Sequence, residues 1–532
     1  MMTHYTRRLG ALAFAALCIT HVACTERTKT TPDRPIEAAA SGVASRPVAD
    51  APKAPELPDP SPAPRPSAPM VPNEGDMFRP SMATLTGDFD VRTFADASSC
   101  RTCHAEIVGE WRESVHSFAS LSNPMYLVAF DDFKADKGAK NTQLCAGCHD
   151  IALMMSGKLA EDADPMDEAS HAGVSCVSCH GITATKPRGN GSYTLDANFP
   201  VPAADDQAAI DAHAKTLTER TKAQSNAMCV TCHRGVLTQE SGHDVVIPGL
   251  DEFGSWRDSA YNGQHTARLD DVTPQDCVGC HMPKVDGRAS HRFAGGHSTL
   301  AAMLGSEDQL DAVRAQVEGA VTLDLMAARG HAPDRLVFDV VVFNERVGHH
   351  FPAGAKDLRD TWVEVEVRDA KGRLVAQDGT AHAADADPTS AHVMQVRLAS
   401  SIGETQDSHE VAHFRAPVFD HTIGPRDADA LRYAMDLSRD HTRSGPLTIT
   451  ATMKHRRLTK TLMERACELS KTPRGAAFLD GAERYKGLRP DPCAPQPILT
   501  VASVTGTVGA SIHVPARAST PTWLRHYRHG LA

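Results

Sequence analysis

The sequence predicts an α + β multidomain protein, with a mostly helical and loop-rich domain followed by a β-rich, sandwich-like domain. Three observations predict it. The chain has 532 residues, too many for one compact core. Between residues 95 and 300 strand patterns are nearly absent, and short helical pieces and loops alternate with scattered Gly and Pro. From about residue 306 the texture turns to two-period strand patterns spread over some 180 residues.

The elements follow in chain order. Residues 1–24 read as an export signal: Arg7 and Arg8 are its positive start, and Leu9 to Thr20 is an apolar run too short to span a bilayer. The run ends at Val22-Ala23-Cys24, which looks like the lipobox of bacterial lipoproteins, although His21 stands where a leucine is usual. Simple cleavage beside a bystander Cys24 is the alternative. Residues 25–80 are rich in Pro, Ala, Ser and Asp, have little to bury, and read as a disordered tether. Residues 81–305 form the first folded domain and 306–532 the second. Ser306 to Gly319 reads as a helix, with Ser306 and Gln309 in capping-box spacing and Leu310, Val313 and Val317 on one face. Leu336 to Phe343 reads as a strand buried on both faces. Val363, Val365 and Val367 alternate with polar residues and run into a turn at Asp369-Ala370-Lys371-Gly372. Leu447, Ile449, Ala451 and Met453 alternate with Thr448, Thr450, Thr452 and Lys454. Thr461 to Ser470 reads as a helix packed on this sandwich.

Composition narrows the function. Hydrophobic content of 41% and charged content of 23% are those of a soluble globular protein, but aromatics reach only 5%, so a large core needs filler from elsewhere. The formal net charge of −11 argues against nucleic acid as a partner. Of the 14 cysteines, Cys18 and Cys24 lie in the signal region and ten form five close pairs. The remaining two, Cys467 and Cys493, are candidates for a disulfide in an oxidising compartment, with two free thiols as the alternative.

The five pairs are Cys100 and Cys103, Cys145 and Cys148, Cys176 and Cys179, Cys229 and Cys232, and Cys277 and Cys280, each followed at once by a histidine: His104, His149, His180, His233 and His281. C-x-x-C-H is the attachment signature of c-type haem. Two thiols must reach two vinyl groups on one porphyrin edge, and the next residue must reach the iron, for which imidazole is suited. A zinc ribbon requires no histidine after each pair, and a redox dithiol does not recur five times. The first cysteines are 45, 31, 53 and 48 residues apart, so five covalently attached haems would share one core and supply its missing apolar bulk. Sixth ligands decide whether an iron is closed for electron transfer or open to substrate. His116, His171, His291, and His349 or His350 sit in suggestive places; His265, His297, His213 and His243 are weaker candidates, and any of them can be an ordinary hydrogen-bonded histidine.

Residues 97 to 300 resemble the multihaem cytochromes of the cytochrome c554, hydroxylamine oxidoreductase and pentahaem nitrite reductase superfamily. The resemblance rests on Trp111 and Ser114-Val115-His116 after the first motif, on the stretch from His171 through Cys176 and Cys179 to His180-Gly181, and on Cys277 to Pro283 followed by His291 to Gly296. It implies axial ligation by His116, His171 and His291, each to a haem that need not be the nearest in sequence. Asn344 to Gly354, with His349 and His350, is similar to a stretch found in multihaem cytochromes with a C-terminal β domain. No C-x-x-C-K motif, set of eight haem motifs or clear tyrosine cross-link candidate is present, so no named activity carries over. The reading is an exported electron-transfer protein of a Gram-negative periplasm or outer membrane, lipid-anchored at Cys24, with redox proteins as partners. The alternative is an oxidoreductase with one open haem, acting on a small nitrogen or sulfur species.

Overall fold

A computed structural model describes residues 78–159, 163–264, 272–327, 334–379, 392–437, 445–508, 512–513 and 520–532. The export signal, Cys24, nearly all of the tether, and His265 lie outside the described residues. Among the described residues no helix is long and apolar enough to cross a membrane.

The first region is built of short helices whose starts are capped by the residues preceding them. Asn123 accepts from the amides of Met125 and Tyr126 and, with Pro124 at the first helical position, starts helix Pro124–Lys137. Asp206 starts the long helix Gln207–Val230 in the same way. The region is not free of strands. Thr84–Thr86, Tyr193–Asp196 and Ile182–Thr185 form one small sheet, and Arg234–Leu237 pairs with Ile247–Asp251. Strands of three to five residues are too short for an alternation to stand out in sequence.

The second region holds two larger antiparallel sheets. In one, Arg335–Asn344 runs between Ala428–Asp436 and Val321–Ala327. Every residue of this central strand after Arg335 is buried, as its apolar run predicts. Its one charged exception, Asp339, is met by Arg432 at 2.8 Å and His529 at 2.8 Å. In the other sheet the order is Leu374–Asp378, Asp360–Arg368, Leu447–Arg456, Ile498–Val508 and Ile512–His513. Val363, Val365, Val367, Ile449, Ala451 and Met453 are fully buried, and both sheets supply residues to one apolar core. The turn at Asp369 forms as read: the amide of Gly372, at φ 77°, donates to the Asp369 carbonyl at 2.8 Å.

Two expectations are corrected. Helix Lys460–Ser470 does not pack chiefly on the β sheets. Its Leu462, Met463 and Ala466 join Met125 and Val128 of helix Pro124–Lys137 in a separate apolar cluster. An amphipathic stripe states that one face is buried, not what buries it. The following helix, Pro473–Lys486, inserts Phe478 into the core of the first region. Cys467, on the first of these helices, forms a disulfide with Cys493 in the loop that follows the second. The described residues therefore belong to one compact unit.

The capping box at Ser306 forms only in half. Ser306 Oγ accepts from the Gln309 amide at 3.3 Å and donates to Glu113 at 2.7 Å, but the Gln309 side chain donates to the Arg292 carbonyl instead of returning to Ser306. Ser306→Ala should cost about 1 kcal/mol, read as a lowered denaturant midpoint with unchanged slope.

Candidate haem-binding site

On a helical turn, residues i, i+3 and i+4 share one face, so each C-x-x-C-H presents two thiols and an imidazole together. The turns are set locally. Ser175 and Ser178 form a capping box at Cys176–His180, and Asp276 accepts from the Gly279 amide to start Cys277–His281. The motif Cys100–His104 opens helix Ser98–Glu113, with a kink at His104. The motif at Cys229 lies at the end of helix Gln207–Val230. None of the ten motif cysteines forms a disulfide.

The ten motif cysteines differ in exposure. Cys103 is exposed to solvent, whereas the other nine, Cys100 included, are half-buried. The reason is its place on the helix: Cys103 falls in the unbroken exposed stretch 101–106, and the first buried residue of Ser98–Glu113 is Val108. Within the first pair, only Cys100 is turned inward, toward Cys176. Cys100 and Cys103 would hold a haem by thioether bonds at this motif.

Three motif histidines face a second histidine from elsewhere in the chain. The ring centres are 6.2 Å apart for His233 and His116, 6.4 Å for His180 and His291, and 6.1 Å for His281 and His349. An iron held between two imidazoles at about 2 Å from each nitrogen sets ring centres roughly 6 Å apart, so these pairs fit a bis-histidine iron. The far side of the rings is arranged accordingly. The Nδ1 atoms of His281, His291 and His349 bond to the carbonyls of Ala294 (2.7 Å), Ala289 (3.0 Å) and His350 (3.0 Å). A carbonyl at Nδ1 assigns the proton there and leaves Nε2 as the ligating atom. Removal from water pushes His116 down to about 3, helped by the neighbouring His233 and His291, and pushes His180 and His281 down to about 4. Each is therefore neutral at pH 7, the form that binds a metal.

The other candidates differ. His149 bonds through Nδ1 to the Ala119 carbonyl at 2.8 Å and stacks on Tyr126 at 4.3 Å, and no imidazole faces it at pair distance among the described residues. His104 likewise faces none, and it lies in the same exposed stretch as Cys103. His171 is buried with its Nε2 bonded to the Pro165 carbonyl at 2.7 Å and its ring stacked on Tyr485, so it meets no motif histidine. Of the adjacent pair, His349 faces His281, while His350 turns its Nδ1 to Thr422 Oγ1 at 2.9 Å.

The motifs also touch one another. The Cys100 thiol meets that of Cys176, which lowers the former to about 7 and raises the latter. Cys148 meets Cys232, raising the first and lowering the second, and contact with Cys229 raises Cys277. Phe293, at φ 49°, lies 4.1 Å from the His116 ring and 5.5 Å from the His291 ring, joining two of the histidine pairs. Phe293 lies within the stretch His291 to Gly296 that carries the resemblance, but only the fold gives it two partners.

Residues 99–181, which contain the first three motifs, match the family model described as cytochrome c554 and c-prime. The fold is similar to the crystal structure of a penta-heme cytochrome c552 from Thermochromatium tepidum, at 18% identity and a TM-score of 0.51, covering 78% of this chain and 99% of that one. No curated protein matches the chain. Residues 99–181 are thus similar to the cytochrome c554 family, and the fold of the chain is similar to that of a multihaem cytochrome.

Proposed function

We propose that the chain binds five c-type haems, one at each C-x-x-C-H motif, and conducts electrons along them. The observation that supports this most is the set of three facing imidazole pairs, each joining a motif histidine to a histidine remote in sequence. A bound haem supplies an iron that gains and loses one electron, and two imidazoles keep it low-spin and closed. The chain's own part is order. The Cys100–Cys176 contact puts the first motif beside the third, Phe293 joins the third to the fourth, and Cys148–Cys232 and Cys229–Cys277 join the fourth to the second and fifth. The fourth motif, with His233 and His116, is the junction. Residues 101–106 around the first motif, Cys103 among them, are exposed, which makes that end the one a redox partner reaches. The N-terminal sequence supports an exported, lipid-anchored protein in the periplasm or at the outer membrane of a Gram-negative bacterium.

A second reading has one observation in its favour: His104 faces no second imidazole among the described residues. An open iron there would make the protein an oxidoreductase for a small nitrogen or sulfur species. Low-temperature electron paramagnetic resonance of the oxidised, haem-loaded protein tests both. At least three low-spin irons per chain are expected, and fewer would overturn the pairing. A high-spin signal of about one iron in five that also binds carbon monoxide when reduced would establish the open site.

A further inference from the structure

We propose that Glu110 is a positioning residue for the third motif: its carboxylate holds the backbone of His291 so that the imidazole stays opposite His180. The inference rests on the reading that Cys176 and Cys179 carry a haem whose iron lies between these two rings. Glu110 belongs to helix Ser98–Glu113, which opens with the first motif, so one helix serves two motifs.

The carboxylate has three partners on one short stretch of chain. Its Oε2 accepts from the His291 amide at 2.6 Å and from Ser290 Oγ at 3.2 Å, and its Oε1 accepts from Arg288 at 2.9 Å. Hydrogen bonds to an ionised acceptor are the strong ones. The Glu110 side chain is 11% exposed, so water competes little for them. The stretch needs such a hold. It leaves a hairpin in which Lys284–Val285 pairs with Arg288–Ala289, two residues a side around a turn at Asp286 (φ 52°) and Gly287 (φ 82°). A two-stranded hairpin of this length is not stable by itself. The His291 ring takes its aim from the same backbone: Nδ1 bonds to the Ala289 carbonyl at 3.0 Å, and the ring centre lies 6.4 Å from that of His180. Fixing the amide of His291 and the side chains of Arg288 and Ser290 therefore fixes the imidazole. The helix is built for this contact. Glu106, Glu110 and Glu113 stand at i, i+4 and i+7, on one face. Glu106 meets Arg288 at 3.1 Å and Glu113 meets Arg292 at 3.4 Å. Of the three, Glu110 is the one that accepts from the His291 backbone.

The test titrates the reduced, haem-loaded, full-length protein with carbon monoxide, which competes with His291 for the iron. Tryptic peptide masses locate the haems. His291→Ala, which opens the third iron outright, identifies its carbon monoxide signal. Loss of a group that orients a metal ligand weakens ligation by about 10- to 100-fold. Glu110→Ala is therefore expected to bind carbon monoxide at that iron at about 10- to 100-fold lower concentration than the parent. Glu110→Gln keeps an oxygen for the His291 amide and should stay close to the parent. Glu106→Ala removes the other carboxylate from Arg288 and should be parental. In a His291→Ala background, Glu110→Ala should change nothing further, because the residue acts through the imidazole. A parental titration for Glu110→Ala, an equal shift for Glu106→Ala, or an equal shift with and without His291 would overturn the proposal. If Glu110→Ala does not fold, Glu110→Asp, which withdraws the carboxylate by one methylene group, decides by the same titration. Haem missing from Cys176 and Cys179 in the parent, or a His291→Ala protein with no new carbon monoxide site, would instead overturn the underlying reading of the His180–His291 pair, and the proposal with it.

Discussion

His116→Ala is expected to turn one low-spin iron per chain high-spin and to slow conduction between the first and fifth motifs. The ring faces His233 at 6.2 Å and leans on Phe293 at 4.1 Å, so its removal takes a ligand from the junction and loosens the bridge to the third motif together. Loss of an axial imidazole shifts a haem potential on the order of 100 mV. For a one-electron step about 60 mV is a tenfold change in equilibrium constant, so electrons from the exposed end should reach the fifth motif at least about tenfold more slowly. Rapid mixing with a reductant, followed in the haem absorption bands, measures this. The adjacent histidines give a paired control. His349→Ala should also create one high-spin iron, because His349 faces His281 at 6.1 Å, whereas His350→Ala should not, because that ring is turned to Thr422. A His116→Ala protein with parental spectrum and rates would remove His233–His116 from the series.

What the sequence made legible is what chemistry imposes locally. Two thioether bonds and one ligand dictate C-x-x-C-H within five residues, so Cys100 to His104 and its four counterparts are visible by inspection. The motif says nothing of depth, however: Cys103 reads the same as Cys148 in sequence, and only the fold leaves the first at the surface and the second half-buried. The alternation of Val363, Val365 and Val367 is equally local, because a strand with one buried face must alternate. Sixth ligands obey no such rule. An imidazole needs only to arrive opposite the iron, and His116, His291 and His349 come from a helix end, a hairpin and a loop. His116 and His291 stood out through resemblance, and His349 could not be separated from His350 until Thr422 claimed the latter. His171 stood out equally, yet its Nε2 is bound to a backbone carbonyl. The docking of Lys460–Ser470 was hidden for a related reason: its apolar face fits many surfaces, and the fold selects helix Pro124–Lys137.

Replacing Cys467 and Cys493 together by serine is expected to lower the unfolding free energy by about 3 to 4 kcal/mol, the value for opening a loop of this length. The bridge spans 26 residues and encloses helix Pro473–Lys486. That helix, with Lys460–Ser470, ties the second region to the first. Phe478 lies in the first region's core, Arg474 pairs with Asp131 at 2.8 Å, and Lys486 is buried over the rings of Trp111 and Phe118 with its ammonium on Ser117 Oγ at 3.2 Å. Burial pushes Lys486 down to about 7, so its insertion opposes solvation and depends on the helix being held in place. The denaturant midpoint should fall, and amides of the two helices should exchange before those of the sheets. In native buffer the spectrum should stay parental, because no haem ligand lies within the bridged segment. An unchanged midpoint would mean that the two helices hold their place through Phe478 and the Arg474–Asp131 pair without help from the bridge.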